Sequence, residues 1–173
     1  MLPVPDLFEM QSDVPGDYAA RFHDYLDQLY EIYKHEVAFG KLKFHGMDVR
    51  CQFRPEAHGK HYAFWHMMQE GTSGEATEDE RIIDFDRCQR IRWIAWCITH
   101  AGCNDPRVRV FQQNKRNGHQ PWALWLYEND YVVILWERNG YYLLKTAFCV
   151  KYLGKRKEFE RNWQAYKKRQ GTP

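Results

Sequence analysis

One histidine and two arginines in this chain have the types and spacing that chemistry on a phosphate ester requires. His66 lies in the segment FWHMM, and its imidazole can donate or accept a proton near neutral pH. Arg87 and Arg90 are three residues apart, so on one helix they would share a side where both guanidinium groups could hold a phosphate. Each group also has a structural interpretation: a hydrogen-bonded core histidine, and a solvated helix face on which the arginines pair with Asp84, Asp86 or Glu80.

The segment NKRNGH has the composition of a basic turn. Lys115, Arg116 and His119 fall within it, and cationic side chains in such turns commonly contact phosphate groups. We therefore expect these three residues to bind a polyanion.

A metal site is the weaker interpretation of the cysteines. Cys97, His100 and Cys103 follow the spacing Cys-x-x-His-x-x-Cys, with Cys88 earlier in the same predicted helix. A structural zinc ion usually takes four protein ligands, and buried cysteines beside a histidine at a helix end are the simpler explanation. We therefore expect no metal and no cofactor. The chain also lacks P-loop, GxGxxG and GxSxG motifs, which argues against common nucleotide-binding and serine-hydrolase sites.

The net charge of +2 hides a strong asymmetry along the chain. Residues 1–80 carry 7 Lys and Arg against 15 Asp and Glu, a net −8, whereas residues 81–173 carry 18 against 8, a net +10. A basic half of this kind suits a polyanionic partner. Alternatively, the two halves neutralise each other within one globule.

Length and composition predict a single soluble domain. A chain of 173 residues can bury a sufficient core without disulfides or metals. Its 5 cysteines are scattered and odd in number, no export signal precedes them, and no apolar run is long enough to cross a bilayer. We expect a cytoplasmic protein with no membrane partner and one domain over residues 1–173, made of an irregular arm (1–16), a leading helix (17–40) and a core (41–173).

The strongest structural signal is the segment YVVILWERNGYYLLKTAFCV, residues 131–150. Two apolar runs rich in β-branched and aromatic residues flank Asn139-Gly140, a dipeptide that favours a two-residue type I′ turn. Both faces of the resulting hairpin are mostly apolar. We therefore expect it in the middle of a sheet that is covered on both sides.

The register of this hairpin follows from the turn. Counting outward from it, Thr146 pairs with Val133 and Lys145 pairs with Ile134. Successive side chains of a strand point to opposite faces, so we expect that Lys145 and Thr146 cannot line the same site. Lys145 would then run beside Ile134 and Trp136 to reach solvent.

The remaining elements follow from hydrophobic spacing and turn residues. Apolar residues three and four apart predict an amphipathic helix from Asp17 to Phe39, which Gly40 ends as a left-handed C-terminal glycine. The predicted elements after it are a short hairpin (41–53), a short helix (61–70), a polar loop (71–80), a long helix (84–100), two strands (107–112 and 122–127) that complete a four-stranded antiparallel meander with the central hairpin, and a basic helix (155–169). This last helix has Phe159, Trp163 and Tyr166 on one side.

Three segments together resemble a known family. FWHMM, DFDRCQRIRWI and the motif YVVILWERNGYYLLKTAFCVKY, followed by a basic helix, are similar to phage-associated members of the Barnase, EndoU, colicin and RelE-like nucleases. The resemblance covers about residues 41–166 and is most specific at the Leu-Lys-Thr-Ala run of the hairpin. It implies an α+β domain in which an antiparallel sheet packs on N-terminal helices.

Position by position, the resemblance implies a site made of His66, Arg87, Arg90 and Thr146, with Trp93 as a supporting aromatic residue. The family cuts RNA without a metal, by attack of the ribose 2′-hydroxyl on its own phosphate to leave a 2′,3′-cyclic end. His66 would transfer a proton, the arginines would hold the phosphate, and Thr146 would orient the ribose or an oxygen. Tyr142, expected to be exposed, could stack a base.

The implied function is thus a toxin or phage-associated endoribonuclease. Its expected partners are RNA, with tRNA and ribosome-bound RNA as candidates, and an antitoxin or inhibitor protein. The alternative is a non-catalytic RNA-binding or phage-encoded protein-interaction module whose nuclease site has decayed. The two differ in whether His66 and the two arginines meet in one cleft open to solvent.

Overall fold

The computed structural model describes residues 2–12, 15–71, 81–114 and 118–171. Its helices are α1 (Tyr18–Ile32), α2 (Tyr62–Met68), α3 (Phe85–Gln89), α4 (Ile91–Gly102) and α5 (Leu153–Arg169), and a π-helical segment (Tyr33–Ala38) continues α1. Its strands are β1 (Lys43–Phe44), β2 (Met47–Arg50), β3 (Gln69–Gly71), β4 (Arg81–Ile83), β5 (Val108–Gln112), β6 (Gln120–Leu126), β7 (Tyr131–Arg138) and β8 (Tyr141–Cys149). The predicted polar loop covers residues 71–80; Gly71 is the last residue of β3, and residues 72–80 lie outside the described ranges.

The sheet confirms the α+β class and corrects the predicted topology. Strands β5 to β8 do form an antiparallel meander, but the sheet has six strands in the order β1-β2-β8-β7-β6-β5. The predicted short hairpin supplies the other two strands, since β2 pairs with β8 in parallel through Val49 and Tyr142. A strand edge exposes unpaired backbone groups, and β2 satisfies part of the edge of β8. The central hairpin therefore lies inside the sheet, as its two apolar faces predict.

Two apolar clusters cover the two faces of the sheet. On one face, Leu124, Val133 and Leu144 pack in a core with residues of α1, α2 and α4. On the other face, Trp125 and Val132 pack with α5, whose predicted apolar side carries Phe159, Trp163 and Tyr166. No helix in the described ranges is both long and apolar enough to cross a membrane.

Helix α1 and its π-helical continuation span the predicted residues, from the N-cap Asp17 to the C-cap Phe39, but Gly40 does not end them in the predicted conformation. Asp17 caps α1 by accepting a hydrogen bond from the backbone N–H of Ala20 at 2.8 Å. Gly40 does not take the left-handed conformation, which Lys41 adopts instead with φ 53°. A Cβ atom on Gly40 would lie 2.1 Å from the carbonyl oxygen of Glu36. Glycine is thus required for close backbone approach, and not for a positive φ.

The predicted long helix is interrupted at Arg90. The backbone there has φ −102° and ψ 18°, which separates α3 from α4. The carbonyl oxygen of Arg90 accepts hydrogen bonds from the backbone of Trp93 at 2.9 Å and from the hydroxyl of Tyr131 at 3.5 Å. Arg87 and Arg90 consequently do not share the side of one continuous helix.

The central hairpin has the predicted pairing near its turn and a bulge beyond it. Leu135 pairs with Leu144, after which Ile134 pairs with Thr146. Lys145 is therefore an extra residue in β8, and the predicted partners of both Lys145 and Thr146 are wrong. A bulge adds one residue to one strand and changes the direction of its side chains, which alternation alone cannot predict.

The type I′ turn geometry predicted for the central hairpin occurs in the short hairpin instead. In the central hairpin Gly140 has φ 83° but Asn139 is not in the left-handed region, so the predicted type I′ turn is absent. His45 and Gly46, in the short hairpin, have φ values of 48° and 78° and meet the requirement of a type I′ turn.

Candidate functional site

The four residues implied by the resemblance lie around the bulged end of β8, where α2 and α3 pack against this strand. We call this set, His66, Arg87, Arg90 and Thr146, the β8 site. The hydroxyl of Thr146 donates a hydrogen bond to the carbonyl oxygen of His66 at 3.5 Å. Strand β2 pairs with β8 only at Tyr142 and Leu143, so the following edge of β8 is free to meet α2 and α3.

His66 is enclosed in the protein. The residue is 7% exposed, and its ring lies 4.3 Å from the ring of Tyr62, one helical turn earlier in α2. The predicted polar cleft around the imidazole is therefore not open to solvent in this conformation. The structural interpretation of His66 as a packed core histidine describes this arrangement.

Arg87 contacts the end of α2 and the start of α3. Its Nη1 atom donates to the carbonyl oxygen of Gln69 at 2.7 Å, and its Nε atom lies 3.5 Å from a carboxylate oxygen of Asp84. The guanidinium carbon also lies 5.9 Å from the centre of the Phe148 ring, two residues after Thr146. Arg87 is thus adjacent to the same strand as Thr146.

Arg90 is held by its own segment. Its Nη1 atom donates to the carbonyl oxygen of Asp86 at 2.8 Å and lies 3.6 Å from the Asp86 carboxylate. The guanidinium also lies 5.1 Å from the centre of the Trp93 ring. The Nε atoms of Arg87 and Arg90 are both buried, and neither has a hydrogen-bond acceptor among the described residues.

A charge network that the sequence analysis missed joins the end of β8 to α3. Lys151 donates to the buried carboxylate of Asp84 at 2.9 Å and lies 3.5 Å from Asp86 and 3.6 Å from Glu70. Burial raises the pKa of Asp84, but the hydrogen bond from Lys151 and the charge of Arg87 lower it, and the net pKa is below the usual value. Asp84 is therefore ionised at neutral pH and fixes Lys151 beside the β8 site.

A groove lies on the other side of Thr146, between the sheet and α5. We call it the α5 groove; its volume is about 200 Å³. Residues from β7, β8, α5 and the segment after β5 line it, including Gln113, Trp136, Lys145, Thr146, Phe148 and Lys155.

The α5 groove corrects the prediction that Lys145 and Thr146 cannot share a site. Both residues line it, because the bulge at Lys145 breaks the alternation of side chains along β8. The expected neighbour of Lys145 is confirmed, since its Nζ atom lies 4.7 Å from the centre of the Trp136 ring. The bulge thus aims a lysine into the cavity that Thr146 borders.

The other residues predicted to bind RNA differ in their surroundings. His119 stacks on Trp136 with ring centres 4.3 Å apart, and its Nδ1 atom lies 2.6 Å from Nη1 of Arg138. Tyr142 is 2% exposed, so the prediction that it stacks a base is wrong. Lys115 and Arg116 lie outside the described residues.

Trp93 and Tyr142 both have structural partners. The indole nitrogen of Trp93 donates to the carbonyl oxygen of Pro5 at 2.7 Å, which fastens the N-terminal arm to α4. The hydroxyl of Tyr142 lies 3.4 Å from Nδ1 of His45. Burial raises the pKa of the Tyr142 phenol, and the nearby charge of Glu137 raises it further.

The Cys/His pattern at the end of α4 does not converge. The ring of His100 stacks on Trp96, and its Nδ1 atom lies 2.8 Å from the carbonyl oxygen of the same residue. Cys97 is fully buried, which raises the pKa of its thiol well above the ordinary value, whereas Cys103 is exposed. Among the residues that the structure describes, no three His, Cys, Asp or Glu side chains lie close enough to hold a metal.

The position of Lys155 was not predicted, although the sequence carries a signal for it. Lys155 is one helical turn before Phe159, whose apolar side faces the sheet, so spacing alone could have placed this lysine beside the sheet. Gln113 and Lys151 carry no such signal, because their positions depend on how distant segments pack.

Comparison of the chain with protein-family models, with curated proteins and with solved structures gives no match.

Proposed function

We propose that this protein is a metal-independent endoribonuclease whose catalytic residues are those of the β8 site. The observation that carries the proposal is the hydrogen bond from the Thr146 hydroxyl to the backbone carbonyl oxygen of His66, which is 80 positions away in the chain. Arg87 adjoins the same strand through Phe148, and Arg90 lies at the end of α3, which packs against β8. The resemblance grouped these residues, and the contact of Thr146 with the backbone of His66 supports the proposal.

The proposed reaction is an intramolecular transesterification. A bond forms between the ribose 2′-oxygen and the adjacent phosphorus, and the bond from phosphorus to the 5′-oxygen breaks, leaving a 2′,3′-cyclic phosphate and a 5′-hydroxyl. One proton must leave the 2′-hydroxyl and one must reach the 5′-oxygen, and the imidazole of His66 serves in this transfer. Arg87 and Arg90 stabilise the charge that develops on the phosphorane, and Thr146 orients the ribose.

The present contacts of the arginines leave capacity for an anion. A guanidinium group has five N–H donors; Arg87 and Arg90 each donate one hydrogen bond to a backbone carbonyl, and the buried Nε of Arg87 lies 3.5 Å from the Asp84 carboxylate. The carboxylate of Asp86 is half exposed, so its ion pair with Arg90 is weak, and a phosphate could take its place. These features support phosphate binding at the β8 site.

A second candidate function is RNA binding without cleavage. It is favoured by the enclosure of the His66 ring, since a proton-transfer group must reach the substrate. The bond from Arg87 to the carbonyl of Gln69 favours it as well, because this contact serves the fold. On this candidate the basic half of the chain binds RNA, and no side chain of the β8 site takes part in chemistry.

One experiment separates the two candidates. Purified protein is incubated with total RNA in EDTA, and the new RNA ends are mapped. If the protein is the proposed ribonuclease, the ends carry 2′,3′-cyclic phosphates and cleavage is as fast as without EDTA. The variant His66→Gln should no longer cleave RNA but should still bind it. His58→Gln, in an exposed loop, is the matched control and should cleave as the wild-type protein does. RNA that is retained by the wild-type protein but never cut would support the second candidate. Cleavage that EDTA abolishes and one divalent ion restores would contradict the metal-free mechanism.

A further inference from the structure

The α5 groove combines cationic, polar and apolar walls in a small space. Lys145 and Lys155 bring ammonium groups, Gln113 brings an amide, and Trp136 and Phe148 form apolar sides. Its volume of about 200 Å³ is below the range of roughly 300–1,000 Å³ that holds a whole drug-sized ligand. The groove therefore suits one unit of a longer ligand.

The two lysines come from different elements and meet at the same cavity. Lys145 reaches it because of the bulge in β8, and Lys155 because it lies in the first turn of α5. Helix α5 begins without a side-chain cap, so the positive end of its dipole adds to the potential there. An anion is the favoured occupant of such a position.

The carboxylate paired with Lys155 is compatible with anion binding. Lys155 donates to both oxygens of Glu158 at 3.1 Å, and the two side chains are 40% and 43% exposed. Exposed pairs of this kind contribute little to stability, so Lys155 can turn to an incoming anion at small cost. Glu158 would nevertheless oppose that anion by its charge.

The apolar walls restrict the class of anion. A free inorganic anion gains nothing from Trp136 and Phe148, whereas a nucleotide has a phosphate for the lysines and an apolar base that can contact Phe148 and the part of the Trp136 ring that His119 leaves uncovered. The amide of Gln113 offers both a donor and an acceptor to the edge of a base. A duplex presents its bases inside, so the nucleotide must come from a single strand.

We propose that the α5 groove binds one nucleotide of single-stranded RNA, next to the phosphate held at the β8 site. The position of the groove beside the cleaved phosphate rests on the proposed function. Thr146 is the link, because it borders the groove and also contacts the carbonyl oxygen of His66. The ribonuclease would thereby require an unpaired residue beside its cleavage point.

The test uses an RNA that binds but cannot react. A fluorescent hexanucleotide with 2′-O-methyl riboses lacks the attacking hydroxyl, so its affinity reports binding alone. The double variant Lys145→Met/Lys155→Met should lose about tenfold in affinity for each lysine. The matched control is Lys157→Met, an exposed lysine of α5 that has no ion pair among the described residues and should leave the affinity unchanged.

A substitution of opposite sign makes the test sharper. Glu158→Gln removes the competing carboxylate and should tighten binding about two- to fivefold. A hexanucleotide clamped in a hairpin duplex should bind weakly to every variant. Unchanged affinity in the double variant, or an equal loss in Lys157→Met, would overturn the assignment of the groove.

The same data distinguish this inference from the proposed function. If the wild-type protein cuts ordinary RNA but the double variant binds the methylated hexanucleotide normally, the α5 groove does not bind the nucleotide, and the proposed ribonuclease activity is still supported. If the wild-type protein never cuts RNA but the lysine and Glu158 variants shift affinity as expected, the ribonuclease is wrong and the nucleotide-binding groove stands.

Discussion

Thr146 lies opposite Ile134 across the central hairpin, and Lys145 stands out of register between Leu144 and Thr146. This one-residue bulge brings both side chains to the α5 groove. Regular alternation would have sent them to opposite faces of the sheet. The position of the bulge therefore decides which residues can act together.

The first prediction concerns the hydroxyl of Thr146. Thr146→Val keeps the side-chain shape and removes the hydrogen bond to the carbonyl of His66, so it should lower the free energy of unfolding by about 1 kcal/mol. RNA cleavage in EDTA should fall much more than this stability change explains. Urea unfolding and a cleavage assay below the unfolding midpoint measure the two effects. Full cleavage activity in a correctly folded variant would exclude a role for the hydroxyl.

The second prediction concerns the bulge itself. Deletion of Lys145 makes Leu144 and Thr146 consecutive and leaves every other pair of the hairpin in its present register. The variant should fold with an unchanged circular dichroism spectrum and bind the methylated hexanucleotide as weakly as Lys145→Met does. The regular register predicted from sequence implied that Lys145→Met would have little effect, and the bulge reverses this expectation. Should the deletion unfold the protein, Lys145→Met still carries the test.

The third prediction concerns the ion pair of Lys151 and Asp84. Lys151→Met leaves a buried carboxylate without its hydrogen-bonded cation, and should cost about 1–2 kcal/mol of stability at neutral pH, since Lys151 is partly exposed. The pKa of Asp84 is lowered in the folded protein, so its contribution exists above the ordinary carboxyl pKa and is lost as the pH falls. The difference between wild type and variant should thus shrink in acid, as urea unfolding at several pH values measures. A difference independent of pH would point to lost packing instead.

The fourth prediction concerns Asp105. Arg107 donates two side-chain hydrogen bonds to its carboxylate, which lowers the pKa of Asp105 to about 2 from the ordinary 3.8. The stabilising effect is complete above pH 3.8 and is lost as the pH falls toward 2, because the unfolded chain takes up the proton first. Asp105→Asn should therefore be less stable than wild type at pH 6 and nearly equal to it at pH 2. Equal stability at pH 6 would contradict the assignment.

The fifth prediction concerns salt. Most ion pairs among the described residues lie within the acidic half or within the basic half, and Arg92–Glu36 and Lys151–Glu70 are the described pairs that join the two. This arrangement favours a basic half that remains available to a polyanion. RNA affinity should fall with salt, with a slope of log affinity against log salt of about −0.7 for each phosphate contacted. An affinity that is the same at low and high salt would show that the halves neutralise each other.

Much of the fold follows from local pattern. The spacing of Phe159, Trp163 and Tyr166 determined the side of α5 that faces the sheet, and the two apolar faces of residues 131–150 determined a central hairpin. Such patterns are sufficient because they record how each segment divides its side chains between core and solvent. The resemblance grouped His66, Arg87, Arg90 and Thr146, and among them the Thr146 hydroxyl contacts the carbonyl oxygen of His66.

Tertiary structure decided the features that depend on contacts between distant segments. The parallel pairing of β2 with β8 and the hydrogen bond from the Tyr131 hydroxyl to the Arg90 carbonyl satisfy backbone groups with partners far away in the chain, and the bulge at Lys145 changes which residues of β7 and β8 are paired. Burial of Tyr142 and His66 was likewise settled by the elements that cover them. Hydrophobic periodicity describes one element at a time, so it cannot say which neighbour will take a free strand edge or enclose a side chain.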